Sequence, residues 1–256
     1  MWFRRSAAAV ADAPVEPERT IVREDYRGAR LAVLRRVVDP SRSEGLEFGA
    51  FDFPVVSPDT GRCSFADVRS SPQLAEIFGV PIETIAPVEW IVDRGRPLAE
   101  QIPRRFDYVI LCHVLEHVPE PIRFLNDVGT LLRPGGVALL AVPDKRQTLD
   151  APRPSTTIDH LLARHHHGAP GPPLAQIMEF SRAWDENWRK LAAEQPRAFF
   201  EWAAQLATLI ADYGLPFRVV DAACDEQVEM LFLLEATERA PGRLDVPEEL
   251  APRAQR

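Results

Sequence analysis

Lysine is nearly absent from this chain. Of 30 basic residues only Lys145 and Lys190 are lysines, and the other 28 are arginines. With 38 acidic residues the formal net charge is −8. That balance argues against a general nucleic-acid binder, which presents a basic surface. Cysteine is scarce too: Cys63, Cys112 and Cys224 are odd in number and far apart. They read as buried free thiols of a reducing compartment rather than a disulfide framework, so a cytoplasmic location is expected. No apolar run is long enough for a membrane span, and no membrane partner is expected. The opening stretch Met1 to Ala13 has an apolar part of only a few alanines and a valine, too little for an export signal. Glycine is also thin where a nucleotide-binding fold most needs it. The segment Gly45-Leu46-Glu47-Phe48-Gly49-Ala50-Phe51-Asp52-Phe53-Pro54 keeps Glu47 and Gly49 but lacks the further glycines that let backbone approach a ligand.

What is present is concentrated between Phe106 and Pro143. Val109, Ile110 and Leu111 form a short apolar run, as a strand buried on both faces should. Ile122, Leu125, Val128, Leu131 and Leu132 then recur at helical spacing. Arg133-Pro134-Gly135-Gly136 supplies a positive residue and helix breakers, and Val137 to Val142 is a second apolar run. This is a βαβ unit, and its polar loop lies at the carboxyl end of the first strand, where such folds bind ligands.

At 256 residues and 46% hydrophobic the chain can bury one substantial core. Residues 1–44 read as a tail followed by an amphipathic helix from Glu24 to Val38. Strands are expected at Gly45 to Phe48, Cys63 to Val68, Val88 to Val92, Phe217 to Val220 and Val228 to Leu234, besides the two above. A long segment, about 150–214, contains His160, His165, His166 and His167 and then Trp184, Trp188 and Trp202 at helical spacing. A crossover needs far fewer residues. The segment reads as a helical cap over the strand ends, with an oligomer-forming helical pair as the alternative. Residues 237–256 read as a tail.

The motifs Phe106-Asp107, His113-Val114-Leu115-Glu116-His117-Val118, Leu132-Arg133-Pro134-Gly135-Gly136 and Val142-Pro143-Asp144, in this order and at one-helix spacing, resemble class I S-adenosylmethionine-dependent methyltransferases. The first motif resembles a subgroup of that family with the form LEIGxxxxP and few glycines. The resemblance covers residues 45–236. It implies an α/β, Rossmann-like, seven-stranded and mostly parallel sheet flanked by helices, with the last strand inserted antiparallel and the cap after strand five. It implies S-adenosylmethionine as cofactor and methyl transfer to a small or sugar-containing acceptor, to oxygen more than nitrogen. Glu47, Gly49, Asp67, Asp93, Cys112 and His113 are the expected cofactor-binding residues. Asp67 ends strand two, where a carboxylate can accept two ribose hydroxyls. Asp93 ends strand three, beside the adenine.

His113, Glu116 and His117 are the expected catalytic residues, with the His113 imidazole suited to taking a proton from a hydroxyl. Their spacing, H-x-x-E-H, also matches an inverted zinc-peptidase motif. That motif needs a continuous helix, which the strand before His113 and Pro119 after it forbid. The loop also resembles the E-x-x-E-H of ubiquinone-biosynthesis O-methyltransferases, which binds a divalent cation, but His113 replaces the first glutamate. No metal is expected. Arg146, Arg153 and His160 are candidate acceptor contacts at the start of the cap, whereas His165 to His167 read as a solvated tract. Two other functions stay open: a methyltransferase-like scaffold that has lost turnover, suggested by the glycine-poor loop, and a nicotinamide oxidoreductase on a similar sheet. The sequence leaves the oligomeric state open.

Overall fold

The computed structural model describes residues 23–143, 156–167, 210, 215–224 and 229–237. Seven strands form one sheet in the order β3-β2-β1-β4-β5-β7-β6. They are β1 (Glu44–Phe48), β2 (Arg62–Asp67), β3 (Val88–Ile91), β4 (Phe106–Cys112), β5 (Leu132–Pro143), β6 (Phe217–Cys224) and β7 (Glu229–Ala236). The first five run parallel, and β7 lies antiparallel to both β5 and β6. The expected seven-stranded, mostly parallel sheet with an antiparallel final strand is therefore present.

The parallel centre is apolar on both faces because helices cover both, as its sequence demanded. Phe106, Val109 and Leu111 of β4 pack on one side, with α4 (Pro121–Leu131) and α5 (Ile158–His167). Tyr108 and Ile110 pack on the other with α1 (Arg23–Leu34). Helix α4 opens with Pro121 at its first turn, where a missing N–H costs nothing, and buries Ile122, Leu125, Val128 and Leu131, the predicted stripe. Helix α1 buries Leu31 and Leu34 against the sheet and so packs within the same core. It stops four residues short of the expected Val38, because Arg35 to Val37 turn toward Pro40. Two short helices complete the described part, α2 (Ser71–Phe78) and α3 (Leu98–Gln101).

The Pro-Gly-Gly segment does more than end α4. Leu132 already pairs with Phe106, and Val137 then pairs with Tyr108, so Arg133 to Gly136 loop out of the ladder. Gly135 has φ +74°, and a Cβ on Gly136 would lie 2.9 Å from the Arg133 carbonyl. The bulge aims Arg133 at Asp107 (2.8 Å) and Glu44 (3.0 Å), tying the amino ends of β1, β4 and β5 together. Burial would raise the Asp107 carboxyl, but the Arg133 guanidinium and the Glu44 N–H hold it below its usual range.

Between β1 and β2, residues 49–61 contain turns and no helix. Val55 and Val56 from this connection fill the core face where a crossover helix would pack. Of the expected cap, only Thr156 to His167 and Ile210 fall within the described residues, so Trp184, Trp188, Trp202 and most of the segment 150–214 lie outside them, as do Cys224's side chain and Asp225 to Gln227.

Candidate active site

The chemistry-bearing residues gather at the carboxyl ends of β1, β4 and the start of β7. A cavity of about 340 Å³ opens there, lined by Gly49 from β1's end, Cys112 and His113 from β4's end, Glu229 of β7, and Tyr26 and Arg30 of α1. Phe51 and Phe53 of the β1–β2 connection form its aromatic wall. A second cavity of about 290 Å³, beside Glu44, Arg62 and Arg104, lies at the opposite, amino-terminal edge and away from these groups.

Gly49 has φ +67°, the left-handed region that glycine adopts without cost, and its N–H donates to the Ala66 carbonyl at 3.0 Å. A Cβ there would approach Val114 at 3.3 Å, so the first loop and the loop after β4 nearly touch. Phe51 also has positive φ, +50°, and its ring lies 4.7 Å from that of Phe78. Gly49 thus takes a left-handed turn that costs glycine nothing.

Glu47 is 1% exposed, and its carboxyl accepts the Val55 N–H at 2.9 Å. Burial pushes its pKa up to about 8, against the lowering effect of the Val55 and Val56 amides. It therefore reaches the cavity wall as a group that also pins the β1–β2 connection. Asp67 ends β2, half-buried, with one oxygen accepting the Arg69 N–H at 3.0 Å; burial raises its pKa. Asp93 accepts the Gly95 N–H at 2.7 Å and so closes its own turn. Cys112 packs against the core, and burial pushes its thiol well above the ordinary range, which keeps it protonated and unreactive.

His113 is a non-glycine residue at φ +53°. Its backbone N–H donates to the Ala141 carbonyl at 2.8 Å, which holds the strained turn in place. Its imidazole lies between two carboxylates, with Nδ1 3.4 Å from Glu116 and Nε2 3.0 Å from Glu229. Hydrogen bonds to Glu116 and then Glu229 raise its pKa to about 9, outweighing burial. A pKa near 9 favours the protonated ring at neutral pH, and a protonated ring with a carboxylate at each nitrogen is poorly placed to take a proton from a hydroxyl. Glu229 is 1% exposed; burial would raise it, but His113 and Arg30 hold it below its usual range. Arg30 grips Glu229 with two parallel bonds, Nε to Oε1 at 3.0 Å and Nη2 to Oε2 at 2.6 Å. Glu116 also has His117 Nε2 at 3.9 Å, on a 3-10 turn spanning Leu115–His117.

The structure brings Glu47, Gly49, Cys112 and His113 to the cavity wall, with Glu116 and His117 on the turn behind His113, whereas Asp67 and Asp93 are not among its lining residues. Arg146 and Arg153 lie outside the described residues, and so does Asp144. His160 lies on α5, half-exposed, with its N–H bonded to Thr157. The histidine tract is not simply solvated, because His165 Nδ1 lies 2.8 Å from Glu120 and joins α5 to the start of α4. Next to it, Arg164 donates to the Pro119 carbonyl at 2.9 Å. Arg30 and Glu229 were not anticipated. Both carried a signal: Arg30 falls four residues after Tyr26 on the helix's buried stripe, and Glu229 interrupts an apolar strand.

The methyltransferase-domain family matches residues 25–220. The chain belongs to that family. A ubiquinone biosynthesis O-methyltransferase of Xanthomonas campestris pv. campestris is 30% identical over 137 residues, covering 51% of this chain and 54% of the relative. The like-named protein of Neisseria meningitidis serogroup C is 23% identical over 148 residues, covering 56% of this chain and 54% of its own length. The chain thus spans about half the length of the curated relatives it matches. Among solved structures, N-methyltransferase NodS from Bradyrhizobium japonicum WM9 with S-adenosyl-l-homocysteine matches over 88% of this chain and 94% of its own, at 14% identity and a TM-score of 0.43. Magnesium protoporphyrin IX methyltransferase from Synechocystis PCC 6803 with bound SAM matches over 89% and 87%, at 13% identity and a TM-score of 0.43. No described helix is long and apolar enough to cross a membrane.

Proposed function

We propose that the chain transfers a methyl group from S-adenosylmethionine to an oxygen of a small or sugar-containing acceptor. The observation that supports this reading is one cavity reaching from Gly49 past His113 to Glu229, and the proposal seats the cofactor toward Gly49 and the acceptor toward Glu229. The donor fits the residues present: the left-handed Gly49 lets the first loop turn without a Cβ pressing on Val114, and the Asp67 carboxylate at the end of β2 accepts the Arg69 and Val68 amides with lone pairs left for hydroxyls. Glu47, Asp93 and Cys112 complete that proposed side, Glu47 by holding the loop rather than by a free carboxylate. S-adenosylmethionine supplies an electrophilic methyl group on a sulfonium, so the protein's part is to align two molecules and exclude water. The aromatic wall of Phe51 and Phe53 suits that exclusion.

His113, Glu116 and His117 remain the proposed reaction-side residues, with His113 acting as a fixed cation rather than a base at neutral pH. Arg146, Arg153 and His160 are proposed acceptor contacts. The relatives named as O-methyltransferases support oxygen as the acceptor atom. The free thiols Cys63 and Cys112 support a cytoplasmic site of action. The test is methyl transfer from labelled S-adenosylmethionine to panels of phenols, sugar alcohols, carboxylates and amines, with products identified by mass. Oxygen methylation of one class supports the reading, and transfer confined to amines contradicts it. One observation favours the scaffold alternative: the helix-free connection after β1 departs from an ordinary nucleoside cradle. A folded protein without affinity for S-adenosylhomocysteine would decide for that alternative.

A further inference from the structure

Three segments far apart in sequence converge on the His113 ring. Arg30 comes from α1, Glu229 from the first position of β7, and Glu116 from the turn after β4. Glu229 is separated from Arg30 by 199 positions and from His113 by 116, yet all three side chains meet within 3.0 Å contacts. A buried ion pair is weak evidence for stability, since desolvation offsets most of the attraction. This pair has a third member, a histidine with strained backbone, and it borders the cavity beside Gly49.

We propose that Arg30 and Glu229 are positioning residues that clamp the His113 ring at the cavity and so make the site complete only when α1 is docked against the final hairpin. The proposal rests on the methyltransferase reading for its functional half. Arg30 fixes both oxygens of Glu229, and Glu229 Oε2 in turn fixes the ring nitrogen. Glu116 holds the other ring nitrogen, so rotation about the ring's bonds is prevented from both sides. The remaining charged or titratable groups on the cavity are Glu47 and Cys112 from the strand ends, Asp52 from the β1–β2 connection and Tyr26, whose ring lies 5.8 Å from Arg30. Glu229, held by Arg30 and bonded to the His113 ring, carries α1's position to the site.

The test uses the full chain and S-adenosylhomocysteine as probe. The His113 ring is titrated by nitrogen NMR, and affinity for the probe is measured by calorimetry across pH 6 to 10. Loss of one carboxylate partner must lower the imidazole's proton affinity, so Glu229→Gln is expected to move the midpoint down from about 9 by roughly one pH unit, a tenfold change. The pH at which probe affinity changes is expected to move down with it. Arg36→Ala, just past the same helix and paired with Asp221 at the surface, is expected to leave both unchanged. Should Glu229→Gln fail to fold, the double variant Arg30→Met, Glu229→Leu replaces the pair with apolar groups and gives the same readout. An unmoved midpoint overturns the clamp. A midpoint that moves while probe affinity keeps its wild-type pH profile makes the pair merely structural and overturns its functional half. A folded wild type that binds no probe overturns the methyltransferase site itself and that half with it, while the titration still decides the clamp.

Discussion

Replacing Glu47 by Gln tests whether a carboxyl with a pKa near 8 really lies beneath the first loop. The side chain is 1% exposed, and burial is the largest influence on it. In the unfolded chain the group titrates near 4.5. A carboxyl whose folded pKa stands above its unfolded value keeps its proton in the fold. Stability therefore falls as pH rises from about 4.5 and levels off above about 8. At pH 7 the folded group is mostly protonated, and at pH 9 mostly ionised. Integrating between those limits gives a loss of about 1.4 kcal/mol from this one group. His113 adds a loss of the same sign, because its folded pKa is raised to about 9 and its contribution disappears as pH rises through that value. The comparison of wild type with Glu47→Gln cancels the histidine. Gln can still accept the Val55 N–H but cannot ionise, so its absolute stability is shifted by an amount independent of pH. Urea unfolding midpoints at half-unit steps from pH 6 to 9.5 supply the measurement. The variant's curve should be flatter than the wild type's by about 1.4 kcal/mol between pH 7 and 9. Parallel curves would refute the reasoning and show Glu47 ionised throughout, held by the loop amides.

Asp67→Ala should weaken S-adenosylmethionine binding by about 1.5–3 kcal/mol, the scale for hydrogen bonds to a charged group, with unliganded stability nearly unchanged; calorimetry and thermal melting check the two halves. Gly49→Val combines a left-handed φ with a Cβ 3.3 Å from Val114, so it should abolish cofactor binding, and normal affinity in a folded variant would remove the first loop from the site. Gly45→Ala should destabilise the fold by at least about 1–3 kcal/mol in urea titration, because its Cβ would fall 1.9 Å from the Tyr108 ring.

The sheet was legible because its signals are local and periodic. The apolar runs of β4 and β5 and the stripe Ile122, Leu125, Val128, Leu131 state both element type and buried face. Gly49 was legible for the same reason, since a lone glycine after Glu47 and Phe48 marks where backbone must turn. The state of His113 was only half legible. Its raised pKa owes most to Glu116, three residues on in the same motif, but its second carboxylate, Glu229, is 116 positions away, and no local pattern reports a partner at that separation. His165 was misread as solvated because its partner Glu120 belongs to another helix. The bulge at Arg133 to Gly136 was seen as a helix stop, but its second use, aiming Arg133 at Asp107 and Glu44, depends on the strand register.

Calorimetric titration of the full chain with S-adenosylhomocysteine at pH 7, in wild type and in the Asp67→Ala and Gly49→Val variants, tests the central claim most directly. The cavity at the carboxyl ends of β1 and β4 predicts saturable one-to-one binding by the wild type, weaker binding by Asp67→Ala and none by Gly49→Val. Saturable binding that neither substitution alters, or none by a folded wild type, would contradict it.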